Sequence, residues 1–370
     1  MSSRLRIGFL MDPLEQVVVG HDTTFVLMLA ARARGHEVRV LEQHQLAFRH
    51  DRTWARMRTV ELRNKKGEHF HVLRDELAPL SDLDVLFLRK DPPVDAAFVH
   101  ATQLVELAGP GEKGPLLVNR AASLRDANEK LFGLRFPELM PRSVVSADAG
   151  VLRAFLREEA RGQAVLKPLD GFGGKGILLL RQDDRNLSAL IELATEGGRC
   201  AVMAQAYLPA ATEGDKRILL LDGEPLGAVL RVPAQGEARA NMAVGGRPVR
   251  TALTERERHI CATLKPELQA RGLAFVGIDV IGEHLTEVNV TSPTGAAEVD
   301  ALDGADVGGR VVAWVEGRAE GRALPPVVSA RAAGPTLAGE GAGEGGGGAG
   351  GAPGAGGGGS RGTSGTGGGT

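Results

Sequence analysis

The chain has 370 residues, a formal net charge of −2 and 51 glycines. The near-zero charge argues against a broad nucleic-acid surface. The only two cysteines, Cys200 and Cys261, give no disulfide framework and point to a reducing compartment. No stretch reaches the roughly 18 apolar residues of a membrane span, and the N-terminus lacks an apolar signal core, so the expected setting is cytoplasmic. More than half of residues 334–370 are glycine, and Leu337 is their only large apolar residue. Such a segment cannot offset its ordering entropy by burial, and is expected to be a disordered tail. Roughly 330 residues remain, enough for two or three packed lobes.

In chain order, residues 5–10 predict a strand. Asp22 then caps a helix carrying Phe25, Met28 and Leu29, which stops at Gly35. Strands follow at 38–41, 85–88 and 116–118, with a helix over 96–107. This alternation implies an α/β lobe with a parallel sheet, whose ligands bind beyond the carboxyl ends of the strands. Two segments leave strand ends with polar residues: Met11-Asp12-Pro13 and Arg89-Lys90-Asp91-Pro92-Pro93. Each reads equally as a charged turn. Residues 123–136 predict a helix with Lys130 inside it. A strand at 143–145, a helix near 149–159, a glycine hairpin, a helix near 187–195 and a strand at 200–205 come next. Asp222-Gly223 joins strands at 216–221 and 225–232. Residues 233–247 are polar and read as a mobile loop. A helix over 254–271 and a hairpin of 275–280 with 285–290 complete the pattern.

The glycine hairpin places Asp170, Gly171, Phe172, Gly173, Gly174, Lys175 and Gly176 between two apolar runs, with Lys167 at its entry. Glycine lets backbone N–H groups approach phosphate, and lysine adds charge. The loop is not a Walker loop, because Gly176 follows Lys175 where Ser or Thr is required. Nor is it a Rossmann turn, because a strand and not a helix follows. A hairpin of this kind serves either as a lid over a nucleotide or as a plain surface turn. The last hairpin adds Asp279, Glu287 and Asn289 amid apolar neighbours. Glu287 and Asn289 are two apart and share a face, and a three-residue loop at 282–284 sets Asp279 opposite Glu287. Facing carboxylates repel unless a cation neutralises them, and oxygen donors alone favour Mg²⁺ or Mn²⁺ held jointly with phosphates. With Lys130, Lys167, Arg217, Arg231 and Arg239, the set describes phosphoryl transfer from ATP.

The chain resembles the bacterial glutathione synthetases, ATP-grasp ligases, over about residues 6–299. The resemblance rests on Met11-Asp12-Pro13, Leu88-Arg89-Lys90-Asp91-Pro92-Pro93, Ser123-Leu124-Arg125-Asp126-Ala127-Asn128-Glu129-Lys130, Leu166-Lys167-Pro168-Leu169-Asp170-Gly171, Gly214-Asp215-Lys216-Arg217 and the run from Leu285 through Glu287 and Asn289 to Thr291-Ser292-Pro293-Thr294. Six co-linear motifs are far more specific than any one of them. The resemblance implies an ATP-grasp fold with a pre-ATP-grasp domain over 1–121, a small lobe over 122–204, and a large lobe over 205–330 with a lid at 233–247. It implies ligation of γ-glutamylcysteine and glycine through an acyl phosphate, with ATP as co-substrate and two Mg²⁺ or Mn²⁺ ions. Lys130, Lys167 and the glycine loop would contact ATP phosphates, and Gln205, Ala206, Tyr207 and Leu208 would lie along the adenine. Asp279, Glu287 and Asn289 would hold metal. Arg217, Arg231 and Arg239 would stabilise the transferring phosphoryl group, and Asp12, Arg89, Lys90, Asn241, Ser292 and Thr294 would border the substrate. A homo-oligomer, usually a tetramer, is also implied, with no nucleic-acid or membrane partner.

This sequence departs from the family at Phe172, usually Met, at a lid that loses glycines, at Gly295-Ala296-Ala297, and in the glycine tail. Two alternatives stay open. A carboxylate–amine ligase for other amino acids would keep the metal and phosphate residues. A silent nucleotide-binding regulator would be expected to lose a metal ligand. Of the lesser features, His69 and His71 read weakly as metal ligands, and residues 52–58, basic around Trp54, read as an exposed loop.

Overall fold

The computed structural model describes residues 4–108, 114–234 and 245–321. The expected glycine tail, most of the expected lid, Arg239 and Asn241 lie outside these residues.

Three sheets carry the architecture. The first contains β1 (Arg6–Leu10), β2 (Glu37–Leu41), β3 (Leu46–Arg49), β4 (Arg52–Leu62), β5 (Phe70–Pro79), β6 (Val85–Leu88) and β7 (Leu116–Val118). Its order is β3-β4-β2-β1-β6-β7, with β5 paired to β4. The predicted β1, β2, β6 and β7 run parallel, while β3, β4 and β5 add an antiparallel meander. The first sheet is therefore mixed, and residues 52–58 are strand and not loop. Thr53, Ala55 and Met57 turn inward, while Trp54, Arg56 and Arg58 take the other face. Charge on the outer face hid a strand whose period of two was present. His69 is buried against the Leu14 carbonyl (2.9 Å), whereas His71 is exposed, so the two form no metal pair.

Helix α1 (Thr23–Ala33) is capped by Asp22, whose carboxylate accepts the Phe25 N–H at 2.8 Å. Helix α2 (Ala96–Glu106) covers the same sheet. The long helix predicted over 123–136 is instead α3 (Ala121–Asp126), a break, and a 3-10 turn at Phe132–Arg135. Asn128 makes the break, because its Oδ1 accepts the N–H groups of Lys130 (3.0 Å) and Leu131 (3.1 Å). A short polar side chain here competes with helical backbone bonding.

The second sheet orders β8 (Ser143–Ser146), β9 (Gln163–Pro168), β10 (Leu178–Arg181) and β11 (Val202–Ala206) as β10-β9-β11-β8, all antiparallel. Helices α4 (Ala149–Glu158) and α5 (Leu187–Ala194) pack on one face, where Leu152, Phe155, Leu166, Val202 and Ala204 form a core. The alternation turns Lys167 and Gln205 to the opposite face.

The third sheet orders β12 (Asp215–Leu221), β13 (Glu224–Val232), β14 (Arg247–Arg250), β15 (Phe275–Ile281) and β16 (His284–Asn289) as β14-β13-β12-β15-β16. Helix α6 (Glu255–Arg271) packs Ile260, Leu264 and Leu268 on Ile218, Leu220 and Ile278. Thr254 and Glu257 form its capping box, and Glu257 also holds Lys216 at 2.8 Å. Lys216 thus points toward α6, and Arg217 points the other way. Helices α7 (Ala296–Asp303) and α8 (Val307–Gly321) close this side against α1.

Candidate active site

The glycine hairpin forms as expected. Strands β9 and β10 pair with Leu178 opposite Leu166, and the glycine loop connects them. Gly173, Gly174 and Gly176 have φ of 62°, 79° and 72°, a region that favours glycine. At Gly176 a Cβ would also lie 2.8 Å from the Pro168 Cγ. Lys130 reaches the loop from outside, its Nζ donating to the Gly171 carbonyl at 2.5 Å. Phe172 is exposed at the tip and takes the Lys175 ammonium on its ring face, 5.2 Å from the centroid.

Asp279 pairs opposite Glu287, as the sequence predicts, by a different route. The turn has only two residues, Gly282 and Glu283, because Ile281 already pairs with His284. A bulge between Asp279 and Val280 takes up the extra residue and restores the register.

Strand β12 brings charge to the same face. Asp215 lies opposite Arg231, and Arg217 lies opposite Asp279. Arg217 grips Asp279 through two bonds, Nε to Oδ1 at 2.6 Å and Nη2 to Oδ2 at 3.0 Å. Arg231 reaches Oδ1 at 3.0 Å and also bonds Asp215, while Asn289 Nδ2 donates to Oδ2 at 3.2 Å. Burial alone would raise the Asp279 carboxyl, but Arg217 and Arg231 outweigh it and hold the group below the ordinary range. Asp215 responds the other way. Burial, with Asp279 beside it, pushes its carboxyl up to about 6 against the pull of Arg231. Gly277 makes room for this packing, because a Cβ there would meet Arg217 Cδ at 3.1 Å and Pro293 at 2.9 Å.

A cavity of about 220 Å³ lies between the second and third sheets. One end is lined by Lys130, Lys167 and the glycine loop, and the floor by Asp279 and Glu287, with Lys167 Nζ 3.6 Å from Glu287 Oε1. The other end is an apolar slot of Val165, Leu179 and Ile281 beside Gln205, Ala206, Tyr207 and Leu208. Gln205 Nε2 and Asp215 Oδ1 are buried without partners among the described residues, and both residues line the cavity. Orphaned polar atoms beside an apolar slot and two ammonium groups fit a nucleotide.

The donor set also fits a divalent cation. Glu287 and the Asn289 amide oxygen offer only oxygen, the chemistry of Mg²⁺ and Mn²⁺. The four lone-pair positions of Asp279 are taken by Arg217, Arg231 and Asn289. Asp279 can therefore join a cation only when a guanidinium or the Asn289 amide turns away. Among the described residues no three His, Cys, Asp or Glu side chains form a closed cage. Phosphate oxygens would complete the ligand set.

The remaining expected residues among those described do not line the cavity, and Arg89 reaches the turn that carries Ser292 and Thr294. Arg89 is buried, its Nη2 donating to the Pro293 carbonyl at 2.9 Å and its Nε to Thr24 at 3.1 Å. Arg217 Nη1 donates to the Thr294 carbonyl at 3.0 Å. Two arginines from different sheets thus fix the turn that carries Ser292 and Thr294. Lys90 pairs with Asp12 at 2.9 Å, and Asp12 also accepts the Asp91 N–H. Burial lowers the Arg89 guanidinium to about 10, with no carboxylate bonded to it.

Two site residues escaped the sequence reading. Asp215 was legible by the same rule that paired Glu287 with Asn289, since it stands two residues before Arg217 on one strand. Glu129 had no such signal, because a continuous helix would have made it a surface residue. Its carboxyl instead lies near Glu287, and burial and that neighbour push it up to about 7.

A nucleotide cavity between two antiparallel sheets, covered by a glycine hairpin and floored by carboxylates, defines an ATP-grasp ligase. Solved structures agree at the level of fold: D-cycloserine synthetase DcsG has a TM-score of 0.58 at 16% identity, over 84% of this chain and 99% of that one. The RimK domain ATP-grasp protein of Sphaerobacter thermophilus has a TM-score of 0.55 at 17% identity, over 84% and 98%. The profiles for the prokaryotic glutathione synthetase N-terminal and ATP-grasp domains match residues 5–125 and 129–304, and the chain belongs to that family. It is 47% identical to the glutathione synthetase of Synechocystis sp., over 84% of this chain and 99% of the relative. It is 48% identical to that of Gloeobacter violaceus (84% and 96%) and 43% to that of Pseudomonas putida (86% and 99%).

Proposed function

We propose that this chain ligates γ-L-glutamyl-L-cysteine to glycine at the expense of ATP, giving glutathione, ADP and phosphate. The near full-length likeness to glutathione synthetases carries this reading. The cysteinyl carboxylate is already a nucleophile at neutral pH and attacks the γ-phosphorus, with ADP as leaving group. The glycine amine then attacks the acyl carbon, phosphate leaves, and the ammonium proton passes to solvent.

In this reading Lys130, Lys167 and the loop from Asp170 to Gly176 position the phosphates, and Gln205 to Leu208 flank the adenine. Glu287 and Asn289, joined by Asp279, would hold Mg²⁺ or Mn²⁺, which neutralises phosphate charge when bound. Arg217 and Arg231, buried beside Asp279, supply the charge that the transferring group needs, and Arg239 and Asn241 would act from the lid. A lid over 233–247 would exclude water from the acyl phosphate. Arg89 and Lys90 with Asp12, and the turn bearing Ser292 and Thr294, border the peptide. The reading includes lobes over 1–121, 122–204 and 205–330, a cytoplasmic setting and a tetramer by family analogy. No described helix is long and apolar enough to cross a membrane.

The test is ADP release with MgATP and γ-glutamylcysteine, with and without glycine. Glycine-dependent glutathione formation is expected, and its failure overturns the reading. E287Q should lower Mg²⁺-dependent turnover at least about 100-fold while leaving the melting temperature nearly unchanged. Equal loss of both would make Glu287 structural.

A further inference from the structure

Residues 128–130 touch both jaws of the cavity, and each contact is specific. On the hairpin side, Asn128 Nδ2 donates to the Leu169 carbonyl at 3.1 Å and Lys130 Nζ to the Gly171 carbonyl at 2.5 Å. Leu169 is two residues beyond Lys167. On the metal-strand side, the Glu129 carbonyl accepts the Val288 N–H at 2.9 Å, between Glu287 and Asn289. Val288 stands three residues before Thr291, at the start of the turn that carries Ser292 and Thr294. Asn128 Oδ1 ties the segment to itself through Lys130 and Leu131.

We infer that Asn128 is a positioning residue, the side-chain arm of a clip at residues 128–130 that sets the glycine hairpin against the metal strand. It does not need to touch a reacting atom. A clip matters here because the hairpin and the metal strand belong to different sheets, with no strand pairing between them. Their separation must be held by the connecting segment, and small misplacements of reacting groups are costly to rate. The division of labour follows from the bonds. Asn128 holds the backbone of the glycine hairpin by its side-chain amide, and Glu129 holds the backbone of the metal strand by its carbonyl.

The inference rests on the ligase reading, and substitutions separate the two. N128D keeps the acceptor for Lys130 and Leu131 but loses the donor to Leu169. It should raise the KM for ATP about tenfold, the scale of one net hydrogen bond, and leave the peptide KM within about threefold. Calorimetric titration of the full chain with MgATP alone should show the N128D loss without turnover. Equal shifts in both KM values, or an ATP KM equal to the parent's, overturn the clip. A parent chain without glycine-dependent turnover would sink the function reading, while the titration would still test the clip.

Discussion

Replacing Arg217 by methionine should cost about 4 kcal/mol of folding stability, and most of that loss should return when Asp279 is also made Asn. Arg217 and Asp279 are both nearly inaccessible, at 5% and 3% exposure, and share two bonds of 2.6 and 3.0 Å. Removing one partner of a buried pair costs about 3–5 kcal/mol, because the other charge stays buried. Arg231 remains 3.0 Å from Asp279, so the lower end, about 3 kcal/mol, applies. Loss of the donor to the Thr294 carbonyl adds about 1 kcal/mol. The methionine chain still fills the space over Gly277, so no large cavity opens. Urea titration and thermal melting of the nucleotide-free protein would read the loss, as roughly a 6 °C fall in Tm. In R217M/D279N the buried anion is gone, and about 3 kcal/mol should be recovered while turnover stays absent. The sign with pH is also defined. In R217M the Asp279 carboxyl has lost one of its two guanidinium partners, so its pKa rises. Acidification toward pH 4 then protonates it and narrows the gap to the parent. If R217M/D279N is no more stable than R217M, uncompensated charge is not the source of the loss.

Two further outcomes follow from the same geometry. Burial and Glu287 raise the Glu129 carboxyl to about 7, so between pH 5 and 8 the folded state keeps a proton that the unfolded state releases. Stability of the nucleotide-free protein should therefore fall as pH rises through that window, by up to about 3 kcal/mol, and E129Q should flatten the fall. A slope in Tm against pH unchanged by E129Q would place the effect elsewhere. Gly176 combines a φ of 72° with a 2.8 Å approach of Pro168 Cγ to any added Cβ. G176A should strain the loop by about 1–3 kcal/mol, raising the KM for ATP at least about fivefold with a small change in Tm. A KM equal to the parent's would show that the loop is not held in this form over the nucleotide.

Much of the fold was readable because its signals are local. Asp22 before an apolar helix, Gly35 after it, and Asp222-Gly223 between two strands each specify backbone geometry from a few adjacent residues. The meander β3–β5 was not readable, since its outer face carries Trp54, Arg56 and Arg58 and resembles a charged loop until its inner face is buried. The helix expected through Lys130 failed for a related reason. Helix propensity over residues 123–136 lost to one side chain, Asn128, which caps the Lys130 and Leu131 N–H groups and whose further bond to Leu169 exists only once the hairpin is in place.

The candidate site divides the same way. Residue type and period-two spacing alone determined that Glu287 and Asn289 share a face and that a glycine loop with Lys167 stands between two strands. Only tertiary structure decided which charges meet. Arg217 and Arg231 converge on Asp279 because two different strands flank it or its neighbour, and Arg89 meets Arg217 on one turn because two sheets pack together. Pattern along a chain specifies the face a side chain takes. The partner across that face depends on which strands come to lie side by side, and that is settled by burial of the whole core.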